Sequence, residues 1–224
     1  MNPTVGADAG PIVLIGGYGA VGTEVGRTLA PWFPGRVLPA GRDLDRARRG
    51  AAELGGAFGG ARVDVTEPGS VVRLLTEYRP AAVVLCVEPP DAEIARLCLS
   101  GGVPIVDVGA SHHLLAATAA LRDTAASTGA RALLSVGVAP GLSNLPARRA
   151  HTEVGGADRI EITIVLGAGE RHGTDAIRWT LDGLAAPVTA TPARVGLPGC
   201  GVRTATRSRS PISTRCATRS AYPT

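Results

Sequence analysis

Three glycines spaced Gly17-x-Gly19-x-x-Gly22 are the residues whose type and spacing point most directly to chemistry. They follow a short apolar run, Ile12-Val-Leu-Ile15, and lead into a helical pattern that stops before Pro31. Strand, glycine turn and helix in that order are what a dinucleotide-binding turn requires. Gly17 would permit the tight turn, Gly19 would let the backbone approach a pyrophosphate, and Gly22 would let the helix pack on the strand. Tyr18, Ala20 and Val21 complete the turn, and the phosphates would lie against the unpaired N–H groups at the positive end of the helix. Because the chain holds 30 glycines in 224 residues, the alternative is a glycine-rich turn that only packs helix on sheet.

Other candidates follow the ends of later apolar runs. About 20 residues beyond the glycines, Val37-Leu-Pro-Ala-Gly41 ends in Arg42 and Asp43. An acid at that tip would accept the adenosine ribose hydroxyls and favour NAD. A guanidinium there is a planar, two-pronged partner for a 2′-phosphate, so Arg42 favours NADP, with NAD second. Asp43 reads as a helix N-cap. Asp64 and Val65 fit an adenine-edge contact, with a plain turn aspartate as the alternative. Val87, with Glu88-Pro89-Pro90, would line the ribose and pyrophosphate. Asp107 and His112-His113 follow a fifth strand, and His172 sits in Gly169-Glu-Arg-His-Gly173. Adjacent histidines on a helix point different ways, so a shared metal is not expected there.

Composition removes whole classes of function. The chain has no lysine, and all 23 basic residues are arginine. That excludes a P-loop lysine, a Schiff-base lysine and the Tyr-x-x-x-Lys pair of short-chain dehydrogenases, whose looser glycine spacing Gly16, Gly19 and Gly22 would otherwise satisfy. Arg203, Arg207, Arg209, Arg215 and Arg219 together exceed the whole net charge of +4, leaving residues 1–199 at −1. A near-neutral body has no basic face for a nucleic acid. No apolar run approaches the roughly 18 residues of a membrane span, and the start lacks the pattern of a signal peptide. Cys86, Cys98, Cys200 and Cys216 have no paired spacing, which suits a reducing cytoplasm. No metal-ligand spacing, paired-carboxylate site or catalytic triad can be assembled, and no catalytic residue is singled out. A nicotinamide enzyme needs none of these, because its cofactor carries the hydride.

The elements that must position these residues follow from periodicity. Aromatics are only 3% of a chain that is 45% hydrophobic, so the core is aliphatic, as in a parallel sheet covered on both faces. Strands are expected near 11–16, 36–40, 61–64, 82–87, 104–108 and 131–137. Helices are expected near 20–30, 43–54, 68–78, 91–100 and 114–128. This alternation predicts an α/β fold, a Rossmann-type doubly wound parallel sheet over residues 10–139 after a tail at 1–9. Residues 140–198 read as a partial α+β substrate or dimerisation domain. It would hold a half-exposed strand at Arg159–Leu166 and a helix from Asp175 to about Leu184. Residues 199–224 show no period of either kind and read as an irregular basic tail. A codon choice exists for residues 203–224 whose shifted frame reads as an ordinary folded segment, so translation out of frame is one expectation for this tail.

Ile15-Gly-Gly-Tyr-Gly-Ala-Val-Gly22, Ala40-Gly-Arg42, Val106-Asp-Val108, Gly137-Val-Ala-Pro-Gly-Leu-Ser-Asn144 and Arg178-Trp-Thr-Leu-Asp182 resemble the saccharopine dehydrogenase NADP-binding family. The likeness covers about residues 10–195, and the Pro-Gly-Leu-Ser-Asn segment is its most specific part. The resemblance implies an N-terminal NADP(H)-binding domain followed by an α+β domain for substrate or for a homodimer contact. It also implies oxidoreductase chemistry, with hydride moving to or from a carbonyl, imine or secondary amine on a small-molecule substrate. Relatives continue well beyond the roughly 50 residues of second domain found here. The alternative is therefore a truncated, catalytically silent NAD(P)-binding module.

Overall fold

The structure is a computed structural model that describes residues 10–163, 177, 193–197, 199 and 201–205. The chain divides into two compact units, Met1–Val136 and Gly137–Thr224.

In the first unit six strands form one parallel sheet: β1 (Ile12–Ile15), β2 (Val37–Gly41), β3 (Ala61–Arg62), β4 (Ala82–Leu85), β5 (Ile105–Asp107) and β6 (Ala132–Leu134). Their spatial order is β3-β2-β1-β4-β5-β6, which is the doubly wound Rossmann arrangement. Between them run α1 (Ala20–Leu29), α2 (Leu44–Glu53), α3 (Pro68–Tyr78), α4 (Glu93–Ser100), α5 (His112–Ala119) and α6 (Arg122–Thr128). The order reverses between β1 and β4, and the crevice beyond their carboxyl ends is where such sheets take ligands.

β1 reads as an unbroken apolar run because it is buried on both faces. Val13 and Ile15 join Leu38, Val63, Val83, Leu85 and Ile105 under α3 and α4, with Val71, Leu74, Ile94 and Leu99 supplying the helix side. Ile12 and Leu14 face the opposite layer with Val37 and Val84, covered by Val25 and Leu29 of α1 and by Leu54. α2 turns Ala47 and Ala51 inward, one helical turn apart, and so lies close to the sheet.

Pro39 sits inside β2 without breaking the ladder. The carbonyls of Arg36 and Ala40 accept from β1-side N–H groups of Ile12 and Gly16, while Gly41 O accepts from Val63. Odd-numbered residues therefore face β3, and pairing with β3 begins only at Ala40–Ala61. The N–H that proline lacks has no partner to lose.

Three expectations need correction. The sixth strand ends at Leu134 rather than 137, because Ser135 takes a left-handed φ of 59° that an extended ladder cannot hold. The single helix expected over 114–128 is two helices, parted at Ala120 and Leu121, where Leu121 has ψ 18°. Residues 159–163, the described part of the strand expected at Arg159–Leu166, form no strand.

The second unit holds α7 (Asn144–Glu153) and an antiparallel hairpin of β7 (Ala193–Leu197) and β8 (Gly201–Ala205). β8 falls where the sequence reading placed only irregular tail. Gly199 and Gly201, at φ 73° and 69°, supply the left-handed turn that a tight hairpin needs. Of the helix expected from Asp175 to about Leu184 only Ile177 is described, as helical, and His172 and residues 206–224 lie outside the described residues. Among the described residues no helix is long and apolar enough to cross a membrane.

Candidate functional site

The glycine turn joins the buried end of β1 to the start of α1. Gly16 has φ 82°, and the Val87 side chain occupies the space a Cβ would take there. A Cβ on Gly17 would meet Leu14 O and Pro39 Cα, each at 2.8 Å. On Gly22 it would run into Gly16 O and the Gly17 backbone. Gly17 and Gly22 are glycine because the protein's own backbone passes too close for anything larger, and Gly16 because of its left-handed φ and the Val87 side chain.

Gly19 is different. A Cβ there would meet only Gly16 O, at 3.2 Å, and the residue is exposed. Its N–H donates to Gly16 O at 2.9 Å, which closes the turn. Gly19 is also the N-cap of α1, where no side chain caps the helix and the first turn holds no acid. The first-turn N–H groups of an α-helix have no partner within the helix, and here nothing offsets the positive helix end. Ala20 and Val21 are exposed beside it. An exposed glycine at a helix start with no side-chain cap and no acid in its first turn fits a pyrophosphate.

At the β2 tip the structure assembles a contact that motif reading did not anticipate. Tyr18 swings from the glycine turn onto Gly41, where a Cβ would lie 2.5 Å from the Tyr18 hydroxyl oxygen. The Asp43 backbone N–H donates to that hydroxyl at 2.9 Å. Asp43 caps α2 by accepting from the Arg46 N–H at 3.0 Å, as its position after Arg42 predicted. The Arg46 guanidinium lies over the Tyr18 ring, 4.6 Å from its centre, and donates to Tyr18 O at 3.4 Å. Arg42 is exposed at the same turn. Arg46 is the residue of this cluster that the sequence reading did not single out. The only available signal was an arginine four residues beyond Arg42.

Across from this turn, the Asp64 carboxylate accepts from Thr66 twice, from N–H at 2.9 Å and from the hydroxyl at 2.8 Å. The Thr66 backbone bond is the main reason its pKa lies below the ordinary 3.8, followed by the Thr66 hydroxyl, and the charges of Arg42 and Arg62 act the same way. Arg42 and Asp64 thus share one end of the sheet. Val65 packs partly buried against the core.

Beyond β4, Val87 lies against Gly16 and the core. Glu88 accepts from the Ser111 hydroxyl, tying the turn after β4 to the start of α5. Burial, and secondarily the Asp107 charge, push the Cys86 thiol up to about 12. Asp107 is itself buried and accepts from the Gly109 N–H at 2.7 Å. His112 and His113 are exposed on α5. Among the described residues no group of three histidine, cysteine or acidic side chains could hold a metal. Gly17, Tyr18, Gly19, Ala20, Val21, Gly22, Arg42 and Val87 thus follow the carboxyl ends of β1, β2 and β4, with Asp64 after β3.

The model of the saccharopine dehydrogenase NADP binding domain matches residues 12–133, more than half of the chain. No curated protein matches the chain in sequence. Among solved structures it is similar to apo saccharopine dehydrogenase (L-Glu forming) from Saccharomyces cerevisiae, at 20% identity and a TM-score of 0.55. That match covers 66% of this chain and 32% of the yeast enzyme, so the chain spans about a third of its length. UDP-glucose 4-epimerase from Brucella ovis in complex with NAD matches at 14% identity and a TM-score of 0.43, over 56% of this chain and 51% of that one. The yeast likeness is one of fold: the parallel sheet and its helices. With the glycine turn, the strand order and the matched residues agreeing, the chain belongs to the saccharopine dehydrogenase NADP-binding domain family.

Proposed function

We propose that the chain binds a nicotinamide dinucleotide along the glycine turn, takes NADP(H) in preference to NAD(H), and serves an oxidoreductase reaction. The carrying observation is Gly19. A Cβ there would meet a single atom, Gly16 O at 3.2 Å, while one on Gly16, Gly17 or Gly22 would meet protein atoms under 3.0 Å, and it stands at the uncapped start of α1. Gly17, Tyr18, Gly19, Ala20, Val21 and Gly22 would hold the pyrophosphate. Val87 would flank the ribose, and Asp64 with Val65 would edge the adenine. Arg42, exposed at the β2 tip, would face the 2′-phosphate, while Asp43 is engaged as the cap of α2 and is withdrawn from ribose binding.

When bound, the cofactor supplies the hydride chemistry, and the protein contributes binding, orientation and exclusion of water. Family membership supports a small-molecule substrate bearing a carbonyl, imine or secondary amine. Free thiols at Cys86 and Cys98 support residence in a reducing cytoplasm.

Thermal unfolding of the full chain with each nucleotide tests the reading. Ligand that binds only the native state raises its stability by mass action, about 2.7 kcal/mol at a hundredfold excess over Kd. NADPH should raise Tm more than NADH does at equal concentration. If neither nucleotide moves Tm, the proposal is lost.

A further inference from the structure

We infer that Tyr18 is a positioning residue for cofactor selection: it holds the Arg46 guanidinium beside Arg42, so that two arginines together recognise a 2′-phosphate. This rests on the nucleotide reading above and extends it to residues whose role no motif assigns.

The geometry forms a closed set of contacts between segments about 25 residues apart in sequence. The Tyr18 hydroxyl accepts from Asp43 N–H at 2.9 Å, and its ring fills the space over Gly41. Arg46 sits on that ring at 4.6 Å and reaches Tyr18 O at 3.4 Å, within the range of a cation–π contact. Arg46 is exposed, in the first turn of α2. Free arginines at such sites swing among many rotamers, whereas this one is held over the start of the glycine turn.

Its charge is also left available. Arg27, Arg48, Arg96, Arg149 and Arg159 pair with carboxylates, while neither Arg42 nor Arg46 pairs with an acid among the described residues. Asp43 spends an oxygen on the Arg46 backbone N–H, and Asp64 feels the Arg42 charge without forming an ion pair with it. Two unpaired guanidiniums at one turn suit a dianionic phosphate, and a ribose hydroxyl gains little from them. Tyr18 would thus link the turn that grips the pyrophosphate to the turn that reads the 2′ position.

Calorimetric titration of the full chain and its variants with NADPH and NADH tests this. Arg46→Ala should weaken NADPH binding by about tenfold, as expected for one charge-assisted contact, with NADH affinity nearly unchanged, and Tyr18→Ala should lower the NADPH-to-NADH preference by a similar factor. The double variant should be no worse than Arg46→Ala alone, since the tyrosine acts through the arginine. Tyr18→Phe keeps the ring and should keep most of the preference. An NADPH-to-NADH ratio unmoved by Arg46→Ala overturns the inference, as does equal weakening of both nucleotides by Tyr18→Ala. Arg46 is exposed, so its variant decides the question even if Tyr18→Ala does not fold. A wild-type chain that binds neither nucleotide would instead bring down the glycine-turn reading itself, and this inference with it.

Discussion

The carbonyl oxygen of Gly16 lies where a Cβ on Gly22 would have to be. That single approach sets α1 close against the end of β1, and it separates two glycines that look alike in the motif. Gly22 is required by the protein, whereas a Cβ at Gly19 would touch only Gly16 O, at 3.2 Å.

Replacing each of them should therefore have opposite signatures. Gly22→Ala should lower the stability of the free chain by about 1–3 kcal/mol, the usual cost of overpacking. Gly19 has φ −79° and ψ 175°, extended backbone that any residue adopts, and a Cβ there meets only Gly16 O at 3.2 Å, so Gly19→Val should lower the unliganded Tm much less than Gly22→Ala does. It should abolish the Tm shift by NADPH, because the valine side chain would occupy the phosphate's place. Thermal melts with and without NADPH check both. A Gly19→Val chain that still responds to the nucleotide would move the phosphate elsewhere.

Arg42→Asp exchanges a phosphate partner for a ribose partner at the β2 tip. NADPH affinity should fall by about tenfold or more, the worth of a charge-assisted contact, and NADH affinity should rise. Equal ratios of the two dissociation constants before and after the exchange would remove Arg42 from the site.

Asp64 titrates below its ordinary 3.8, first because of the Thr66 N–H and then the Thr66 hydroxyl. A carboxylate whose pKa is depressed in the fold stabilises it above the unfolded pKa, and that contribution is lost as pH falls through the folded value. The affected window is therefore acidic, below about pH 4. Thr66→Val removes the hydroxyl bond only, so the pKa should rise part of the way back while the backbone bond remains. Carbon-detected NMR titration of Asp64 measures it, and an unchanged pKa would discount the hydroxyl.

Cys86 and Cys98 both have thiols pushed up to about 12 by burial, with the Asp107 charge adding to the effect at Cys86. A raised folded pKa means stability present below the unfolded value and lost as pH climbs through the folded one. Denaturant midpoints should then fall between about pH 9 and pH 12. With Cys200 and Cys216 replaced by serine, the native chain should be nearly inert to Ellman's reagent at pH 8 and react fully once unfolded. Rapid reaction of the native chain would show that these thiols are not sequestered.

Much of the dinucleotide half could be read from local pattern. The runs at Ile12–Ile15, Val37–Gly41 and Ala82–Leu85 are buried strands and read as such, because a strand covered on both faces needs apolar residues throughout. The helix starts at Ala20, Leu44 and Pro68 were legible from a glycine turn, an aspartate cap and a proline in the first turn. The break between α5 and α6 was not, since Ala119-Ala-Leu-Arg122 carries no glycine or proline to announce it. Nor was the hairpin closing at Gly201, because residues 193–205 carry no clear period of two, and the main mark of the turn is glycine at 199 and 201.

The amino-acid sequence by itself determined the order of strands, turns and helices and the place of the glycine turn. These depend on short-range sterics, hydrogen bonding and burial of one face, which act between near neighbours in the chain. Tertiary structure decided the rest. It put Tyr18 against Gly41 and under Arg46, gave Ser135 its left-handed backbone at the end of β6, and left Gly19 the least crowded of the turn's four glycines. Such contacts join segments distant in sequence, and only the packing of β1 between β2 and β4 brings them within reach of one another.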